Sequence, residues 1–166
     1  MNRDELRSLQ APLKQRYRDD PGAGIITLEA EGRLGEGVSC SVATGRALVE
    51  AGLHPATGGS GLQACSGDML LQALVACAGV TLSAVAMSMG IALRGGRLHA
   101  EGDLDVRGTL GVAKDAPIGF RQIRLAIELD CDASSAERAK LVELTERYCV
   151  VYQTLRSGPE LRVSLA

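Results

Sequence analysis

Residues 69 to 93 run for 25 positions without a charged side chain, between Asp68 and Arg94. A helix of that length reaches across a bilayer, so the first question is whether the chain enters a membrane. The make-up of the stretch argues against it. It is crowded with Ala, Gly, Ser and Thr, contains Gln72, has no aromatic belt and has no basic cluster at its flanks. A helix that is apolar on all sides is otherwise the buried centre of a domain or of an oligomer. Asp68 is placed as its N-cap and Gly90 as its C′ residue, which gives about 21 residues and roughly 30 Å of helix.

The rest of the composition narrows the class. The chain has 166 residues, enough for one domain with a sizeable core. Its aromatic residues are Tyr17, Phe120, Tyr148 and Tyr152, so the core must be aliphatic. Lys and Arg number 18 against 20 Asp and Glu. That balance, with so few aromatics, leaves no footprint for a nucleic acid. The apolar fraction of 46% excludes intrinsic disorder. The charged N-terminus, Met-Asn-Arg-Asp-Glu-Leu-Arg, is not followed by a signal-peptide core, which points to the cytoplasm and to free thiols.

Along the chain, residues 2–17 are predicted to form a short helix within an arm (1–23) that precedes a single domain (24–166). Strands are predicted over 24–31 and 38–43, with Gly32-Arg33-Leu34-Gly35 in the turn between them, and a third strand over 46–51. Residues 52–67 read as a loop. After the long helix, Leu98, Ala100, Gly102, Leu104 and Val106 alternate with polar residues, as do Ile123, Leu125, Ile127, Leu129 and Cys131. Ser134 and Glu137 form a capping box that opens a second helix. Glu143 and Arg147 are spaced as an i,i+4 pair on its wet side, with Leu141, Leu144 and Tyr148 on another face. Leu161, Val163 and Leu165 alternate in a final strand. The fold class is α+β.

Five cysteines, Cys40, Cys65, Cys77, Cys131 and Cys149, are unusual for a chain of this size, and no two have a CxxC spacing. The two histidines, His54 and His99, lie far apart, which leaves neither a metal set nor a hydrolase triad. Any one cysteine alone reads as a small buried hydrophobe. Cys77 and Cys149 stand apart because both fall on predicted helices.

Their surroundings carry a resemblance. Asp68-Met-Leu-Leu-Gln-Ala-Leu-Val-Ala-Cys77, followed by Thr81-Leu82 and Gly90-Ile91, resembles the first cysteine motif of the OsmC/Ohr family of osmotically induced and organic-hydroperoxide-resistance proteins. Glu143-Leu144-Thr-Glu-Arg-Tyr-Cys149-Val150-Val151 is similar to its second. The resemblance implies an intertwined homodimer with the long helices at its centre, and a thiol peroxidase. Cys77 would attack an organic hydroperoxide, Cys149 would resolve the sulfenic acid as a disulfide, and an external dithiol, lipoyl or similar, would reset the pair, with no bound cofactor.

An ordinary thiol is only a few per cent ionised at neutral pH, and Cys77 lies too far into its helix to gain from the N-terminal dipole. The resemblance assigns its activation to an arginine on the early hairpin, matched by Arg33. The peroxidase branch also holds that arginine with a glutamate preceded by proline. Here Cys65-Ser66-Gly67-Asp68 has neither, so Asp68 stands either as a shorter substitute or as the helix N-cap. The spacing of Asp68 and Cys77 looks more like the OsmC-like branch. From a different class, the alternative is a non-catalytic relative that binds a small apolar ligand at its dimer interface.

Overall fold

In the computed structural model, backbone and side chains are described for residues 3–5, 8, 11, 15, 19, 48–111 and 113–165, and backbone alone for 32–34, 39–44 and 47. The described residues among 3–19 are helical, in keeping with the predicted N-terminal helix. The strand predicted over 24–31 lies outside the described residues. The chain divides into two compact units, residues 1–66 and 67–166.

The first unit is a four-stranded sheet in the order β1 (Gly32–Leu34), β2 (Ser39–Thr44), β3 (Ala47–Gly52) and β4 (Ala64–Cys65). The first three strands are antiparallel and β4 joins parallel to β3. Two expectations change here. Arg33 is not in the turn, because Gly32–Leu34 pairs with β2 and sets Arg33 opposite Ser41. Cys65 is not in a loop, because Gly52 pairs with it across β3 and β4.

Helix α1 (Ser66–Met89) follows β4 without a break. Its start at Ser66 moves Asp68 from the predicted N-cap into the first turn, where a carboxylate still meets the positive end of the dipole. Its end is as predicted. Gly90 has φ +76, Gly90 N–H donates to Met87 O at 3.2 Å and Ile91 N–H to Ala86 O at 2.9 Å, which is a Schellman motif.

Within the chain α1 is not buried all round. Leu74, Ala78, Leu82 and Ala86 form its buried stripe at four-residue spacing, whereas Val80 is 73% exposed. The physical reason is the size of what packs on it. Strands β5 (Gly95–Leu104) and β6 (Phe120–Asp130) make a two-stranded antiparallel sheet, and α3 (Ser135–Tyr148) adds one helix. Leu82, Ala86 and Leu141 form the core there, with Ile127 and Leu129 of β6 against them.

The predicted alternation holds in β6 from Ile123 and in β5 from Leu98 to Gly102, but Leu104, expected on the inner face, is exposed. Beyond it Asp105 caps the short helix α2 (Val106–Thr109), accepting from Arg107 N–H and ending the strand before Val106. The capping box of α3 is present: Ser134 N–H and Oγ donate to the Glu137 carboxylate at 2.8 and 2.7 Å. Arg138 then ties the turn after β6, donating to the carbonyls of Leu129, Cys131 and Ala133.

Three local expectations fail in this half. Glu143 pairs with Lys140 at 2.8 Å and not with Arg147, whose guanidinium lies over the Tyr148 ring at 5.5 Å. Tyr148 is exposed, not on the inner face, because α3 ends there. Leu161, Val163 and Leu165 form no strand and are almost fully exposed, since no described strand pairs with them.

Candidate active site

Cys149 does not continue the second helix. It sits at a kink, with φ −73 and ψ 110, as the residue that closes α3 and opens α4 (Val150–Arg156). Its N–H donates back to Thr145 O at 2.9 Å, and its Sγ accepts from Tyr152 N–H at 3.5 Å. A thiol therefore stands where a helix normally has a Ser or Asp side chain. The kink also frees the N–H groups of Val150 and Val151 from intrahelical bonding.

Those groups point at Cys77. Burial pushes the Cys77 thiol up, but the Val151 N–H, the Cys149 side chain, the Val150 N–H and the Thr81 hydroxyl all pull it down. The net result lies below the ordinary thiol value. Cys149 goes the other way. Burial raises it, the Tyr152 N–H lowers it, and the neighbouring Cys77 raises it again. Two sulfurs 72 residues apart in the chain thus interact side chain to side chain, with opposite tendencies. In the pair the negative charge is thus favoured on Cys77 and the proton on Cys149.

Cys149 is fully buried and Cys77 half-buried. A cavity of about 210 Å³ opens on Cys149, lined by Ile123, Leu125, Val142, Thr145 and Tyr152 among others, with Glu146 at its edge. The Tyr152 hydroxyl is pushed up by burial and by the Glu146 carboxylate. Asp68 lies elsewhere. It lines an open cleft of about 410 Å³ between α1 and β5, together with Gln72, Leu98 and His99. His99 in turn pairs with Glu101 at 3.5 Å. Arg33 is on β1, and its side chain is outside the described residues, as is that of Cys40. Cys131 is buried at the end of β6 and Cys65 lies on β4. Among the described residues no cluster of His, Cys, Asp or Glu is suited to a metal.

Residues 59–164 match the model of the OsmC-like protein family, a span that includes both Cys77 and Cys149 and the whole of α1. The chain belongs to the OsmC family. Solved structures share the fold. An OsmC-like protein from Mycoplasma pneumoniae is 18% identical over 80% of this chain and 89% of that one, with a TM-score of 0.68. An organic hydroperoxide resistance protein OsmC from Legionella pneumophila, described as a predicted redox protein, is 17% identical over 80% and 91%, with a TM-score of 0.60. The organic hydroperoxide resistance protein OhrB of Bacillus subtilis is 18% identical over 80% and 93%, with a TM-score of 0.53. No functionally curated protein matches. By length and composition α1 remains long and apolar enough to cross a membrane, and the matched family region contains it whole.

Sequence reasoning paired the right elements but missed three contributors. Thr81 was within reach, one helical turn beyond Cys77. The N–H groups of Val150 and Val151 were not, because their release depends on a kink at Cys149 that no proline or glycine announces.

Proposed function

We propose that this OsmC-family protein is a thiol peroxidase that reduces organic hydroperoxides. The observation that carries the reading is the pair of interacting sulfurs, with Cys77 favoured as thiolate and Cys149 as thiol. The thiolate attacks the distal oxygen of ROOH. The O–O bond breaks, leaving a sulfenic acid on Cys77 and an alkoxide that leaves as ROH after taking a proton. Cys149 then displaces hydroxide from that sulfur, giving a Cys77–Cys149 disulfide and water. An external dithiol, lipoyl or similar, returns the pair to two thiols.

Two of the structural relatives carry organic hydroperoxide resistance in their names, which supports the same chemistry. Arg33 is assigned a supporting role in stabilising the thiolate, and Asp68 that of orienting the arginine. Since Val150, Val151 and Thr81 already stabilise the Cys77 thiolate, Arg33→Gln is expected to slow Cys77 oxidation without abolishing it. The uncovered faces of α1 suit a homodimer built around that helix, acting in the cytoplasm.

The test is direct. Stoichiometric cumene hydroperoxide is added to the reduced protein and the thiols are mapped by mass spectrometry. Prompt formation of the Cys77–Cys149 disulfide, lost in Cys77→Ser, is expected. Slow oxidation spread over all five cysteines would overturn the proposal.

A further inference from the structure

The Cys149 thiol is fully buried, yet it has to lose a proton before its sulfur can attack another. The walls of the cavity on which it opens decide where that proton can go. Most are aliphatic, and the polar ones are Thr145, Glu146 and Tyr152. The Thr145 hydroxyl already donates to Leu141 O at 2.7 Å. The Tyr152 hydroxyl, pushed up by burial and by Glu146, keeps its proton. What remains as an acceptor is the Glu146 carboxylate.

The backbone puts Glu146 in the right place. It lies three residues before Cys149 on the last turn of α3, so the two side chains share a helix face and one cavity. Gln153 of α4 reaches back across the kink and donates through Nε2 to Glu146 O at 2.8 Å, which braces that turn. Unlike the thiol, Glu146 is exposed, and so it joins the cavity to bulk water. Among the described residues it has no ion pair with a lysine or arginine. Glu143, one turn back, is taken by Lys140, and Arg147 lies over the Tyr148 ring. From the other elements, the ionisable groups at this corner are Cys77 of α1, Tyr152 and Arg156 of α4, and Arg121 of β6.

We propose that Glu146 is the proton acceptor of the resolving thiol Cys149. A cavity of about 210 Å³ admits water, and one water between the Cys149 sulfur and the carboxylate carries the proton. The physiological step rests on the peroxidase reading. The Cys149 proton passes to Glu146, the Cys149 sulfur bonds to the Cys77 sulfur, and the S–O bond of the sulfenic acid breaks. The departing hydroxide takes the proton back from Glu146 and leaves as water. By then the negative charge on Cys77, which kept the proton on Cys149, has been consumed.

The test needs no peroxide. Methyl methanethiosulfonate places a methylthio group on Cys77, and Cys149 then displaces methanethiolate, which picks up the released proton. Formation of the Cys77–Cys149 disulfide is timed by acid quench and mass spectrometry as a function of pH. The wild-type rate is expected to be flat across the neutral range, where the carboxylate accepts the proton. Glu146→Gln is expected to be about tenfold slower at pH 7 and to rise with hydroxide throughout. Added formate restores part of the Glu146→Gln rate, and Glu146→Asp keeps part of it. Melting curves check that the variants are folded. Identical pH profiles for wild type and Glu146→Gln, a uniform drop that formate does not relieve, or no disulfide in the wild type would overturn the proposal. Failure to react with cumene hydroperoxide would remove the peroxidase reading and leave this outcome standing.

Discussion

Replacing Thr81 by valine removes one hydroxyl from the Cys77 sulfur and changes little else. Thr81 lies one turn beyond Cys77 on α1, and valine keeps its β-branched shape, so helix and packing are preserved. A hydrogen bond to a charged group is worth about 1.5–3 kcal/mol. Cys77 is half-buried, so water replaces part of the lost bond and the effective loss is about 1.4 kcal/mol. That corresponds to about a tenfold shift of the thiol–thiolate equilibrium toward thiol. The assay is alkylation of Cys77 by iodoacetamide, resolved by mass spectrometry and followed against pH. The thiolate is the reacting form, so the rate rises with pH and levels off above the thiol's midpoint. Wild type is expected to level off below the range of an ordinary thiol, because Cys77 is lowered in the fold. Thr81→Val is expected to react about tenfold more slowly below the midpoint and to converge with wild type above it. Superimposable profiles would refute the claim that Thr81 stabilises the thiolate. A uniform drop at every pH would refute it too, since that pattern reports lost access and not lost charge stabilisation.

Three further outcomes follow from the packing and the charges. Leu141 is fully buried against Leu82 and Ala86, so Leu141→Ala is expected to cost about 2–5 kcal/mol in urea unfolding. Ser134→Ala removes the side chain that caps α3 and is expected to cost about 1 kcal/mol, read as a lower Tm. Because the Ser134 side chain and N–H hold Glu137 below the usual carboxylate range, the same change lets that carboxyl titrate higher. Asp105, held by Arg107 and by the α2 cap, is lowered to about 2. Its contribution to stability is therefore present above the unfolded carboxyl value and is lost as pH falls through about 2. An NMR titration should find the carboxyl still ionised at pH 3, and a midpoint near 4 would contradict the bidentate pairing.

Much of the fold was legible residue by residue. The uncharged run from 69 to 93 announced α1, Gly90 announced its end, and Ser134 with Glu137 announced the start of α3. Each of these is a local signal: a periodicity, a left-handed C′ glycine or a cap. The failures are equally specific. Asp68 resembles an N-cap in sequence, but the pairing of Cys65 into the sheet starts the helix three residues earlier. Arg33 lies in a glycine-rich run that reads as a turn, yet pairing with Ser41 draws it into a strand. Glu143 has two basic neighbours at helical spacing, and Lys140 took it.

By itself the sequence determined the class of the protein, its long apolar helix and the two cysteines whose surroundings resemble the family's motifs. These rest on patterns a few residues long, which the backbone must obey wherever the chain is packed. Only the tertiary structure decided how the two sulfurs differ. The kink at Cys149 releases two N–H groups, and long-range packing of β6, α3 and α1 brings them onto Cys77. Arg121 likewise leaves the alternation of its strand through a bulge in the pairing of β5 and β6. Such contacts join residues far apart in the chain, and no local pattern encodes the distance between them.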